Sequence, residues 1–211
     1  MPTWKSWIPG ALLLAPSLAT AADDAALYAP APPPGSAFVR LLQAGAAAAP
    51  GEVGGTAVDA LPPGGTSAYV VAAQGAVAVG LGGASHRLDA AAGGYYSVAW
   101  LGGAPTVFED ATSKNKAKAM LTVYNLSGVD GVSLTTGDGK VEIVAGVGKG
   151  ASAHREVNAL AVPLAVAVPG GAPVALGEQV LERGGAYSVV VTGSGPALQA
   201  TWTRATTAPL R

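Results

Sequence analysis

No cysteine occurs among the 211 residues. That excludes disulfides, thiol catalysis, thiolate metal sites including blue copper, and a lipid-bearing amino-terminal cysteine. Histidine is nearly as scarce, with only His86 and His154 present. A Ser-His-Asp relay needs a histidine base beside an activated serine, and no Gly-x-Ser-x-Gly elbow occurs. Paired-histidine metal motifs, EF-hand loops and phosphate-binding loops are also missing; Gly146-Val147-Gly148-Lys149-Gly150 lacks the full spacing and a following helix. The expectation is therefore no catalytic set, no metal and no cofactor. Aromatics make up 6% of the chain and charged residues 12%. No apolar run reaches the roughly 20 residues that a membrane-spanning helix needs.

Glycine is abundant, with 30 residues, and so is proline, with 16. Alternating valine-rich runs recur from Phe38 to Trp202, separated by Pro62-Pro63-Gly64-Gly65, Gly82-Gly83, Gly93-Gly94 and Gly102-Gly103. Short strands with glycine-rich turns at this spacing predict an all-β protein. In the first half strands are expected at Phe38–Gln43, 56–58, 68–72, 76–81, 86–88, 95–101 and 106–108. In the second half they are expected at 121–124, 132–135, 140–144, 160–168, 174–176, 187–191 and 198–203. The halves resemble each other, since Gly93-Gly94-Tyr95-Tyr96-Ser97-Val98 corresponds to Gly184-Gly185-Ala186-Tyr187-Ser188-Val189. Val39–Ala44 corresponds loosely to Leu121–Leu126. Two tandem β-sandwich, jelly-roll-like domains follow, at residues 37–108 and 119–211, joined by a short polar linker at 109–118.

Residues 1–22 read as a secretory signal peptide. Lys5 supplies the positive start, Ile8 to Ala19 the apolar core, and Ala19-Thr20-Ala21 the small-x-small cleavage site. Residues 23–36 form an arm whose Pro30-Ala31-Pro32-Pro33-Pro34 predicts extended polyproline II. Leu27 and Tyr28 are unusual in such an arm and suggest docking. A soluble periplasmic protein is expected.

Charge divides unevenly. Residues 23–112 carry seven acidic and two basic side chains, and residues 113–211 carry six acidic and nine basic ones. A polyanion is repelled by the first half and tolerated by the second, and nucleic acid is not an expected partner. Lys114, Lys116 and Lys118 share one side of the extended linker and are candidates for contact with an anionic polymer or an acidic partner surface. His154 has the chemistry for acid–base work, and an acetyl-carrying enzyme would use Ser152 or Ser194 with it; a solvated loop histidine is the plainer reading. The aromatics available for a sugar platform are Tyr95, Tyr96, Trp100, Tyr124, Tyr187 and Trp202. Valine neighbours assign most of them to core. Tyr124, facing opposite to Leu121 and Val123, is the candidate exposed ring and glycan contact.

Asp24-Ala-Ala-Leu-Tyr28, Gly35-Ser36-x-Phe38-Val39-Arg40, Tyr95-Tyr96, Lys114-Asn-Lys-Ala-Lys-Ala119, Val123-Tyr-Asn-Leu-Ser-Gly128 and Arg155-Glu-Val-Asn158 occur in an order that resembles the AlgF family. This is the family of periplasmic alginate biosynthesis proteins needed for O-acetylation of the polymer. The resemblance covers essentially the whole chain after residue 22; the alanine- and glycine-rich fillings at 44–55 and 90–94 depart from it. It implies a non-enzymatic accessory role beside a membrane O-acyltransferase complex and a periplasmic SGNH-type alginate acetyltransferase, with the mannuronate polymer as a further candidate partner. Under that resemblance the adaptor's contacts fall on Lys114, Lys116, Lys118, Arg155 and Glu156. The alternative is a stand-alone polysaccharide-binding module.

Overall fold

A computed structural model describes residues 30–210. The signal segment 1–22 and the pair Leu27 and Tyr28 lie outside the described residues. Pro30 to Pro34 is exposed and has no regular hydrogen bonding. From Ser36 on, the regular structure is nearly all strand, joined by turns and one short 3-10 turn at Gly195–Ala197, as the alternation predicts. The strands are β1 (Ser36–Leu41), β2 (Ala49–Val53), β3 (Thr56–Leu61), β4 (Val70–Ala73), β5 (Gly75–Leu81), β6 (Ala84–Ala90), β7 (Tyr95–Leu101) and β8 (Ala104–Glu109). The second half has β9 (Lys118–Asn125), β10 (Val132–Thr136), β11 (Glu142–Val147), β12 (Ser152–Asn158), β13 (Ala161–Ala167), β14 (Val174–Val180), β15 (Ala186–Thr192) and β16 (Gln199–Arg204). Two strands, β2 and β12, lie where the sequence reading placed loop or left the assignment open.

Four four-stranded sheets result, in the orders β4-β1-β7-β8, β3-β2-β5-β6, β12-β9-β15-β16 and β11-β10-β13-β14. Adding eight to each number in the first pair of sheets gives the second pair, so the internal repeat is a repeat of topology. Even its one parallel pairing per sandwich recurs, β1 with β7 and β9 with β15. Local details follow. Tyr96 Oη accepts from the Ala91 N–H at 3.1 Å, and Tyr187 Oη accepts from the Glu182 N–H at 2.9 Å. Each is a tyrosine folded back on its own loop five residues upstream, a device that ties strand entry to the preceding corner. Between β5 and β6, and again between β7 and β8, two-residue glycine turns have positive φ at both positions (60° and 87° at Gly82 and Gly83, 59° and 85° at Gly102 and Gly103). Only glycine adopts that geometry freely, and its twist matches the flanking strands.

Alternation assigns the cores. Ala37, Val39 and Leu41 of β1, with Tyr96 and Val98 of β7, pack against Val53, Val77, Val79, Leu81 and Leu88 of the facing sheet. Ala119, Leu121 and Val123 of β9, with Tyr187, Val189 and Val191 of β15, pack against Val132, Leu134, Leu164 and Val166. The opposite faces of the same central strands are buried as well. Leu42, Ala99 and Phe108 from the first half meet Tyr124, Leu126 and Val190 from the second in a third apolar cluster. Pro32–Arg211 thus forms one compact unit in which the two sandwiches meet through the outer faces of β1-β7 and β9-β15.

Candidate functional site

At the joint between the sandwiches sits an arginine in an otherwise apolar strand. Arg40 is 2% exposed and lies beside the 5% exposed carboxylate of Asp110, with Nε 3.9 Å from Oδ2. Its Nε donates to Ser97 Oγ at 2.8 Å, and its Nη2 donates to Tyr124 Oη at 2.9 Å and to Ser188 Oγ at 2.8 Å. The parallel register sets Arg40 beside Ser97 on β7, while Tyr124 and Ser188 reach in from the second sandwich. Asp110, just past β8 in the linker, receives hydroxyl donors from Tyr69 at 2.7 Å, from Ser97 at 2.6 Å, and from Tyr124. The Tyr69 ring lies 4.4 Å from the guanidinium carbon, a cation–π contact that covers a face hydrogen bonds do not.

The electrostatics agree with a sealed cluster. Burial opposes the Arg40 charge, but Tyr124, Tyr69 and Asp110 around it outweigh that effect and hold its pKa above the ordinary guanidinium value. Burial raises the Tyr69 and Tyr124 phenols well above their usual range, with Arg40 opposing the shift and Asp110 adding to it. Both phenols are therefore neutral donors to the Asp110 carboxylate. The serine hydroxyls of Ser97 and Ser188 are engaged by Arg40 and shielded from solvent.

Tyr124 corrects a sequence-based expectation. Its ring is 0% exposed, edge-on to Phe108 at 5.3 Å between centroids, so it is no exposed sugar platform. Its facing opposite to Leu121 and Val123 was right, but that second face is covered by the first sandwich. Tyr96 and Tyr187 are core residues as expected, and Trp202 stacks on Tyr187 at 5.1 Å.

The five proposed contact residues separate into groups. Lys114 and Lys116 are exposed in the linker, and Lys118 opens β9 opposite Asn158. Ser113 Oγ donates to Glu156 Oε1 at 2.6 Å, so the linker is held onto β12. That hydrogen bond, aided by the Lys118 charge, holds the Glu156 carboxyl below the usual carboxylate range. Arg155 is next to Glu156 in sequence but points to the other face, where Nη1 donates to the Ile143 carbonyl at 3.1 Å and more weakly to that of Glu142 at 3.4 Å. The structure therefore brings Lys118 and Glu156 together and leaves Arg155 apart. His154 is exposed on β12, and no hydrogen bond joins it to Ser152 or Ser194. The Arg40–Asp110 cluster was missed, although an arginine within Phe38-Val-Arg-Leu-Leu42 is the signature of a buried, paired charge.

Comparison with known proteins gives a consistent set of matches. Residues 10–188 match the family described as "Alginate O-acetyl transferase AlgF". The alginate biosynthesis protein AlgF of Pseudomonas putida is 38% identical, over 95% of this chain and 96% of its own length. That of Pseudomonas aeruginosa is 35% identical, over 96% of this chain and 94% of its own. Solved structures of the two separate domains of P. aeruginosa AlgF also match. The carboxy-terminal domain is 37% identical over 42% of this chain and 99% of its own, with a TM-score of 0.39. The amino-terminal domain is 27% identical over 37% of this chain and 98% of its own, with a TM-score of 0.34.

Proposed function

Because this chain belongs to the AlgF family of alginate biosynthesis and O-acetylation proteins, we propose that it serves alginate acetylation as a non-enzymatic periplasmic adaptor. In this role it holds an SGNH-type acetyltransferase near the membrane O-acyltransferase complex. The observation that carries the reading is the joint. Arg40, Asp110, Tyr69, Tyr124, Ser97 and Ser188 fasten two complete sandwiches, and the hydroxyls that would serve as nucleophiles there are spent on that fastening. Each sandwich keeps its surface away from the joint for a partner, and the exposed Lys114 and Lys116 beside the Ser113–Glu156 hydrogen bond supply a charged contact strip between them.

The test is binding of the purified acetyltransferase to this chain by calorimetry, with intact mass measured after incubation with an acetyl donor. A stable complex without acetylation of the chain is the expected result. Acetylation at Ser152 or Ser194 with no complex would replace the adaptor by an acetyl carrier. Salt-sensitive retention of polymannuronate with no protein complex would replace it by a polysaccharide-binding module.

A further inference from the structure

Because the sandwiches repeat one another, every edge in one has a counterpart in the other. Ser97 and Ser188 are equivalent in sequence, and the parallel registers set Arg40 against Ser97 and Thr122 against Ser188. The antiparallel registers then set Val39 against Val70 and Leu121 against Arg155, so Val70 on β4 occupies the place of Arg155 on β12. In the second sandwich that arginine bridges to the backbone carbonyls of β11, and the β11 and β12 edges pack together. In the first sandwich the short Val70 cannot reach, and β3 and β4 make no comparable contact. A groove of about 490 Å³ opens between them, within the size range of ligand sites. Val58, Asp59, Leu61, Val70, Val71 and, from the carboxy-terminal segment, Leu210 line it.

Backbone groups on the rim of this groove lack partners within the sheet. On β2, Gly54 N–H donates to the Ala78 carbonyl and the Pro50 carbonyl accepts from Gly82 N–H, so Gly54, Glu52 and Pro50 face β5. The alternating residues Gly51 and Val53 serve Val58 and Thr56 of β3. Ala57, between them, turns its N–H and C=O groups away from the sheet, and the ladder shifts register at Asp59 and Ala60, which both lie opposite Pro50. The other rim already takes an extended segment in this manner. Tyr69 N–H donates to the Thr206 carbonyl and Ala208 N–H to the Tyr69 carbonyl, both at 2.8 Å. Pro209 has no N–H to continue that ladder. Among the described residues Asp59 is the one charged side chain lining the groove, and it is exposed.

We propose that this groove is the docking site for an extended segment of a partner protein, pairing with the β3 edge at Ala57 and setting an arginine or lysine against the Asp59 side chain. Arg155 shows within the same chain which side chain fills the equivalent slot. Strand addition to a free edge supplies affinity through backbone hydrogen bonds, and the groove and its carboxylate supply selectivity. The inference rests on the adaptor reading and gives it a contact on the first sandwich.

The experiment uses the whole chain, isotope-labelled, and a capped synthetic peptide of alternating valine and threonine with a central arginine, alongside its glutamate counterpart. The arginine peptide is expected to shift the amides of residues 57–61 and 70–71. Affinity should fall about tenfold with the glutamate peptide and about tenfold with Asp59→Arg, and stay unchanged with Asp89→Arg on the exposed far edge of the same sheet. Shifts confined to other residues, or equal binding by Asp59→Arg and Asp89→Arg, would overturn the groove assignment. The purified acetyltransferase separates the two readings. If it binds the wild type and Asp59→Arg equally, the groove is wrong and the adaptor stands. If it binds neither while the arginine peptide still occupies the groove, the adaptor is wrong and the groove stands.

Discussion

Replacing Arg40 with methionine keeps most of the stem and deletes the three hydrogen bonds donated by the guanidinium. Asp110, 5% exposed, then loses its counter-charge. Breaking a buried ion pair from one side costs about 3–5 kcal/mol. Asp110 retains hydroxyl donors from Tyr69, Ser97 and Tyr124, which places the expected loss near the lower end, at about 3 kcal/mol. With a urea slope of about 2 kcal/mol per molar, the midpoint falls by about 1.5 M. Adding Asp110→Asn removes the stranded charge and is expected to restore at least about 1 kcal/mol. The chain carries its own reporters. Without residues 1–22, which contain Trp4 and Trp7, the remaining tryptophans are Trp100 in the first sandwich and Trp202 in the second. Single-tryptophan forms made with Trp202→Phe or Trp100→Phe should unfold coincidently in the parent and separately once Arg40 is methionine. Transitions that stay coincident, with a midpoint shift below about 0.5 M, would show that the cluster does not fasten the two sandwiches.

Alkaline titration tests the same cluster by another route. The Tyr69 and Tyr124 phenols are raised in the folded chain by burial. Their contribution to stability is complete below the unfolded phenol value of about 10 and is lost as pH rises through the folded values. Absorbance at 295 nm should therefore show these two phenols ionising only as far-UV ellipticity is lost; full ionisation in an intact fold would refute their burial. Glu156 offers the opposite sign. Its pKa is lowered by the Ser113 hydrogen bond, so its contribution is present above the unfolded carboxylate pKa and disappears as pH falls through the folded one. Carboxyl NMR should find its midpoint moved upward by Ser113→Ala, and an unmoved midpoint would detach the linker from β12.

The fold was legible wherever one face of a strand alternates. Val77, Val79 and Leu81 of β5 point inward between exposed or half-exposed neighbours, and the glycine turns that bound them announce the hairpin. β2 escaped notice because Ala49-Pro-Gly-Glu-Val53 offers few side chains to alternate. On β12 the apolar face formed by Ala153 and Val157 is interrupted by Arg155. Tyr124 was misread for a different reason. Alternation separates the two faces of a strand but cannot report that both are covered, and β9 is buried along nearly its whole length. The joint itself depends on residues far apart in sequence, with Arg40 bonded to partners 57, 84 and 148 positions away. Only the oddity of an arginine among Phe38, Val39, Leu41 and Leu42 hinted at it.

The segment after β8 begins like a tether and does not behave as one. Asp110 is drawn into the joint, and Ser113 is held by Glu156 three residues later. Two partners gripping opposite ends of this chain would consequently be set at one separation and one relative angle, as by a bracket bolted at its middle. Their encounter would be governed by orientation instead of by the sweep of a flexible leash, so lengthening the segment would gain little unless the bolt were first drawn.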